Sequence, residues 1–338
     1  MTNNATVNIR MGLFNVENLF LMFDHPIPEN FKTLSEPDWQ KHSTSIYDNK
    51  PLTKCLQIAK IIEENSPDVM MFCEVGGFES LKNFNLLFLQ DKYSCVLVEG
   101  NSNRNIDVGY LIKKNLPYFF DFASNKNRPI NYLYPHEITS LSHGFKIKAA
   151  SHIFSRDCLE LHLFKNQREK PFLILLLTHL KSRLDPERID PGGTERRAAE
   201  LKAAISIYKE LEITYPKTPI MICGDLNGFA GKPNTDAEFT PIYEQTNLQD
   251  VFEVAGLSID KRTTFYQIKN GGKADGKQID YCFIPKTLWP HLKLEDCFVY
   301  LYKDHFGLPM DPPTTMEIKS NLPSDHYPLF FTLENLPI

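Results

Sequence analysis

Val7, Ile9, Met11 and Leu13 alternate with polar or small residues, so residues 7–16 predict a strand with one buried face. Leu159, Leu161 and Leu163 repeat that alternation. Three stretches are apolar without alternation: Val69 to Cys73, Phe172 to Leu177 and Ile220 to Cys223. Such short runs predict strands covered on both faces. Further strands are expected over 93–98, 108–112, 263–268, 279–284 and 329–332, the fourth carrying one interior acid, Asp280. Helical spacing appears in Leu52, Ile58, Ile61 and Ile62, ending near Ser66-Pro67, and again over 81–89. A third helix follows Pro191-Gly-Gly-Thr194, with the stripe Ala198, Leu201, Ile205, Tyr208 and Thr194 as its expected N-cap. That Gly-Gly lacks phosphate-loop spacing and reads as a flexible loop.

Several strands follow one another with no helix between them. This predicts an α/β protein with partly antiparallel sheets packed face to face and helices outside. Two segments break the pattern. Residues 24–51 carry Pro26, Pro28, Pro37 and Pro51 among polar residues, and 124–152 are weakly patterned. Both read as surface excursions. His136, His143 and His152 fall in the second, in no metal-binding spacing, and read as loop histidines.

Composition narrows the function classes. The 338 residues hold 37 Lys and Arg against 42 Asp and Glu, a net charge of −5. No global basic field exists to attract polyanions, which argues against a tight non-specific nucleic-acid binder more than against an enzyme gripping one phosphate. Seven cysteines, several inside apolar runs and none in a C-x-x-C pair, read as reduced core thiols. The N-terminal stretch lacks a signal-peptide layout, and Phe172 to Leu177 is far too short to span a bilayer. The expectation is a cytoplasmic protein with no stable membrane association.

Chemistry gathers where the predicted strands end. Ile220 to Cys223 runs into Gly224-Asp225-Leu226-Asn227, Val69 to Cys73 stops at Glu74, and Phe172 to Leu177 leads to Thr178-His179. Asn15 and Glu17 close the first strand, and Ser324-Asp325-His326 precedes the last. Asn15 with Glu17, and Asp225 with Asn227, have the spacing that shares one face of an extended chain. Each also has a plainer reading: Asp225 to Gly228 as an Asx-rich turn, Glu74 as the first solvated residue of its strand. Carboxylates collected at one sheet edge resist ionisation unless a cation sits among them. Oxygen ligands such as Glu74, Asp325 and an amide suit a hard ion, Mg²⁺ with Mn²⁺ as a substitute. Two histidines nearby supply acid–base function or phosphate contacts. With no Ser or Cys nucleophile motif, the set points to phosphoester hydrolysis by an activated water.

Asn15-Val-Glu17-Asn, Glu74, Thr-His179-Leu-Lys-Ser, Gly-Asp225-Leu-Asn227, Ile-Asp280-Tyr and Ser-Asp325-His326-Tyr-Pro occur in that order, spanning nearly the whole chain. Together they resemble the endonuclease/exonuclease/phosphatase superfamily. The resemblance implies a single domain over 1–338, a four-layer α/β/β/α sandwich of two mixed, largely antiparallel sheets flanked by helices. It implies Glu74 as principal metal ligand with Asn15 and Asp325 near the ion. Glu17 stands where some members have aspartate. Asp225 and Asn227 would orient water and scissile phosphate, His326 paired with Asp280 would act as base or charged phosphate contact, and His179 would stabilise the phosphate or protonate the leaving group. Arg156 resembles a phosphate-contacting arginine of the deoxyribonuclease branch. The expected function is a Mg²⁺-dependent phosphodiesterase acting as a monomer on nucleic acid. The alternatives are an inositol-phosphate or phospholipid phosphatase, a sphingomyelinase-like phosphodiesterase, and a catalytically silent binding scaffold.

Overall fold

A computed structural model describes residues 5–142, 151–166, 170–185 and 188–338. Two six-stranded mixed sheets pack face to face. The first has the order β13 (Leu292–Val299), β14 (Leu329–Pro337), β1 (Thr6–Leu19), β2 (Val69–Val75), β4 (Asp107–Lys113), β3 (Tyr93–Leu97). The second runs β5 (Phe119–Ala123), β6 (Cys158–Phe164), β7 (Leu173–His179), β8 (Ile220–Asp225), β12 (Asp280–Pro285), β9 (Leu248–Asp250). Among the described residues only β1–β2 and β7–β8 pair in parallel. A separate hairpin, β10 (Phe265–Lys269) and β11 (Lys273–Lys277), stands outside both sheets.

The alternation does what it predicts. Ile9, Met11 and Leu13 of β1 share one core with Leu159, Leu161 and Leu163 of β6 and with Leu173, Leu175 and Leu177 of β7. Each such side chain contributes roughly 1.5–3 kcal/mol on leaving water. The unbroken apolar runs are unbroken because their strands are covered twice. Met70 and Phe72 of β2 pack outward with Ile58 and Ile62 of α2 (Leu52–Asn65) and Leu81 and Phe84 of α3 (Gly77–Phe88), where α1 is the short helix Glu36–Gln40. On the other side, Ile174, Leu176, Ile220 and Ile222 pack with Leu201, Ile205 and Tyr208 of α5 (Thr194–Thr214), where α4 spans Pro135–Ser142. Tyr110 crosses the inter-sheet core, its hydroxyl near the main-chain oxygens of Leu159 (2.9 Å) and Leu175 (3.2 Å).

Several expectations are corrected. Strands β5, β9, β11 and β13 escape the sequence reading, the first, second and last being sheet edges. The segment 24–51 is more than a surface loop, because Trp39 of α1 is fully buried, its ring 6.0 Å from Phe88 of α3 and its Nε1 donating to Lys50 O (3.0 Å). In the 124–152 segment, His136 lies in α4, His152 pairs with Glu137 (2.9 Å), and His143 lies outside the described residues. Thr194 does not cap α5. The Asp190 carboxylate does so from further back, accepting the N–H groups of Glu195 (3.1 Å) and Arg196 (3.0 Å). Gly193 is the N-cap residue, with φ of +62° and no room for a Cβ, which would lie 2.3 Å from Ser182 O. The Gly-Gly is therefore a packed turn. All seven cysteines are free, and among the described residues no helix is long and apolar enough to cross a membrane.

Candidate active site

Register decides which strand ends meet. In parallel β7–β8 His179 lies opposite Asp225, and in antiparallel β8–β12 Asp225 lies opposite Asp280, so three site residues form one row at the sheet edge. Gly224 makes that row possible. Its φ is +147°, and a Cβ there would sit 1.7 Å from Thr178 O, so no other residue lets β8 approach β7 at this point. In the facing sheet Asn15 lies opposite Cys73, which places Asn15 and Glu74 at the ends of adjacent strands.

Asn15 joins the two sheets. Its Nδ2 donates to Asp225 Oδ2 (2.9 Å), both residues being about 1% exposed. Asp225 Oδ1 accepts the Asn227 N–H (2.9 Å), so the Asx-type turn forms and serves the site at once. His326 Nδ1–H donates to Asp280 Oδ2 (2.8 Å), which fixes the orientation of its ring. His326 Nε2 then lies 3.8 Å and His179 Nε2 3.5 Å from Asp225 Oδ2, too far for good hydrogen bonds. The His326 loop is held by Ser324, whose hydroxyl donates to Asn15 O (2.7 Å) and accepts from His326 N–H (3.1 Å).

Backbone strain collects here. Glu17, Asn18, Glu74 and Asn227 all have positive φ, at 46°, 57°, 66° and 55°. Glutamate seldom adopts this region, which costs on the order of 1–3 kcal/mol per residue. The left-handed turns also correct the same-face spacing. Glu17 leaves the extended path of Asn15 and turns to Lys54 (3.4 Å), while Asn227 turns its amide to Leu180 O (3.1 Å).

A cleft of about 440 Å³ opens over this edge, lined by Glu17, Glu74, His179, Asp225, Asn227, Asp325 and His326 among others. Asn15 and Asp280 lie buried behind it. Arg156, 6% exposed, lines an adjoining cavity instead of the cleft. Residues drawn from the whole length of the chain thus converge at one mouth.

Burial and neighbouring charge set the protonation states. Burial, reinforced by Asp280, pushes the Asp225 carboxyl up to about 7. Burial works against charge on His326, but Asp280, by charge and hydrogen bond, outweighs it and raises the imidazole to about 10, with Asp225 and Asp325 assisting. His179 is held well below its ordinary value by burial and by the charges of Arg156 and His326. One imidazole is therefore held charged and its neighbour neutral.

Two donor sets could hold a cation. Atoms of Asp225, Asp280 and His326 lie within 4.8 Å of one another, but the His326–Asp280 hydrogen bond already occupies two of them. Glu74 has spare capacity. Among the described residues its Oε2 meets only the Asn18 N–H (3.2 Å) and the half-exposed Arg104 (3.5 Å), and Glu17 and Asp325 share the cleft. This all-oxygen set fits a hard divalent ion. Sequence reasoning missed Ser324, Arg104, Lys319 (3.4 Å from Asp325) and Thr264, whose hydroxyl accepts the Asp280 N–H (3.2 Å). Of these, only Ser324 stood inside a motif.

No family model matches the sequence, and no curated protein matches it in sequence. Its fold does have solved neighbours. D. rerio TDP2 in complex with a single-strand DNA product is 15% identical, with a TM-score of 0.56 over 96% of this chain and 98% of that one. An endonuclease/exonuclease/phosphatase family protein from Bacteroides thetaiotaomicron is 12% identical, with a TM-score of 0.55 over 98% of each chain. The human Nocturnin catalytic domain with a bound sulfate is 16% identical, with a TM-score of 0.55 over 97% of this chain and 95% of that one. Face-to-face sheets, an edge cleft and these neighbours agree: the chain has the fold of the endonuclease/exonuclease/phosphatase superfamily.

Proposed function

We propose that this chain is a divalent-metal-dependent phosphodiesterase that cleaves nucleic acid, with Mg²⁺ as its ion and Mn²⁺ able to replace it. The observation that carries this reading is the convergence on Asp225. Asn15 reaches it from one sheet, His179 and the His326–Asp280 pair approach from the other side, and the Glu74 cleft lies in front. Nucleic acid is favoured over lipid because a neighbour of this fold, D. rerio TDP2, holds a single-strand DNA product.

Glu74, with Asp325 and Glu17 on the same cleft, would hold the ion. When bound, it polarises a phosphoryl oxygen and lowers the pKa of water. Asp225, raised to about 7, is matched to taking a proton from water near neutral pH, and the Asn227 N–H fixes its orientation. His326, held charged, offers its Nε2–H to phosphate oxygens as negative charge develops there. His179, held neutral, donates without adding charge.

A hydrolysis panel tests this reading. Plasmid, abasic oligonucleotide, RNA, phosphoinositides and sphingomyelin are compared with Mg²⁺, Mn²⁺ or EDTA, with Glu74→Gln and Asp225→Asn as blanks. Metal-dependent cleavage of DNA or RNA, lost in EDTA and in both variants, is the expected result. Cleavage of lipid substrates alone would replace the nuclease reading, and inertness toward all five would remove the phosphoesterase one.

A further inference from the structure

Next to the catalytic cleft lies a larger cavity, of about 790 Å³, which shares Glu17, Asn18 and Arg104 with it. One wall is Gln40 with residues 46–51, the end of the excursion that the sequence marks as a surface loop. That wall is fastened. Gln40 holds both main-chain groups of Asn49, its Nε2 donating to Asn49 O (2.7 Å) and its Oε1 accepting the Asn49 N–H (2.9 Å). Asn49 Oδ1 accepts the Met22 N–H (2.8 Å), and the Lys50 N–H donates to Phe20 O (2.8 Å).

Two aromatic rings line the cavity. Tyr47 is half-buried and lies parallel to Phe20, the ring centroids 4.5 Å apart and the planes within 4°. Phe20 is 5% exposed, so it backs one face of Tyr47 from inside. The Tyr47 hydroxyl accepts from Asn105 Nδ2 (2.9 Å), which fixes the direction of the ring. Core packing would hide such a stack. Here it borders open space, and the neighbouring Ile46 is 92% exposed on the same wall.

A backed and tethered ring loses little freedom on receiving a second flat group. Every nucleobase offers such a face, and stacking on an aromatic ring accepts any of them. Charge favours the same occupant. Arg104, half-exposed, lines both cavities and lies 3.5 Å from Glu74, so a strand running from the Glu74 cleft to Tyr47 passes its guanidinium. Of the acids on the wall, Glu17 is paired with Lys54 (3.4 Å) and Asp48 is exposed to solvent. A base inside a duplex already has both faces stacked and would have to leave its helix to reach Tyr47.

We infer that Tyr47, backed by Phe20, stacks an unpaired base flanking the scissile phosphate, so that single-stranded nucleic acid is the substrate class. The inference rests on the reading of the cleft as a nucleic-acid phosphodiesterase site, but its test reads binding and not turnover.

Fluorescence anisotropy in EDTA would compare labelled oligothymidylate, a strand of equal length whose sugars carry no bases, and a blunt duplex. The proteins are the wild type, Tyr47→Leu and Tyr47→Phe. The wild type should bind oligothymidylate roughly tenfold more tightly than either other ligand. Tyr47→Leu should weaken oligothymidylate alone, bringing the two single strands within about twofold of each other, and Tyr47→Phe should keep most of the preference. Equal binding of both single strands by the wild type, which needs no variant, would overturn the assignment, as would a duplex bound as tightly as oligothymidylate. So would a preference that survives Tyr47→Leu, or an equal loss of both strands in that variant, the mark of a loosened wall. Failure of the hydrolysis panel with the base preference intact would count against the phosphodiesterase reading alone.

Discussion

At Glu74 backbone strain coincides with the proposed metal-ligand role. A β-strand delivers it to the cleft, and its φ of 66° turns its carboxylate out of the sheet. Asparagine tolerates that conformation better than glutamate does. Glu74→Asn should therefore raise stability by about 1 kcal/mol while abolishing metal-dependent hydrolysis. Chemical denaturation beside an activity assay checks both halves, and an active variant would remove Glu74 as the ligand. In the proposed mechanism Asp280 acts one step behind the chemistry, through its hydrogen bond to His326 (2.8 Å). Asp280→Asn keeps the shape but removes the charge that holds the imidazolium. Turnover should fall by roughly 10²–10⁴-fold, and steady-state kinetics would show it. These residue types were legible from motif order alone. The unlike protonation states of the two histidines were not, because they follow from burial and from partners distant in sequence, above all Asp280 for His326 and Arg156 for His179.

At the scale of elements, strands covered on both faces were the easiest to read and the edge strands the hardest. Strand β11, Lys-Ala-Asp-Gly-Lys, has no apolar face to show, because its hairpin packs beside the cleft and not into the inter-sheet core. The 24–51 excursion erred in the other direction, its prolines and polar residues masking Trp39 and Phe31. Their rings seat the segment on α3, and Lys50, at the segment's end, donates to Glu17 O (2.9 Å). Trp39→Ala should cost about 3–5 kcal/mol. Because the segment supports Glu17 at the cleft rim, activity should weaken below the unfolding transition as well. Thermal melts and assays at 20 °C separate the two effects, and an unaffected melting temperature would show the segment to be detachable.

For the whole molecule, buried charge makes stability depend on pH through Asp250, which lies outside the cleft. Asp250 is fully buried, accepts from Gln278 (2.9 Å) through one oxygen and leaves the other unpaired. Burial raises its carboxyl to about 7, against 3.8 when exposed. A raised acid favours the protonated folded state, so its contribution is intact below about pH 4 and is lost as pH rises through about 7. Asp250→Asn cannot ionise. Its stability advantage over the wild type should grow between pH 4 and 7 and then level off, reaching a few kcal/mol. Denaturant midpoints across that range provide the check, and a constant difference would mean Asp250 is ionised throughout.

The sequence alone determined the layers, since a period of two and unbroken apolar runs state how many faces of a strand are covered. It also determined which acids, amides and histidines end those strands. Tertiary structure decided which of them meet. Register set His179, Asp225 and Asp280 in one row, and sheet packing brought Asn15 to Asp225 across 210 residues of chain. Local pattern records solvation of single positions, whereas proximity and unpaired charge arise only when distant segments pack together.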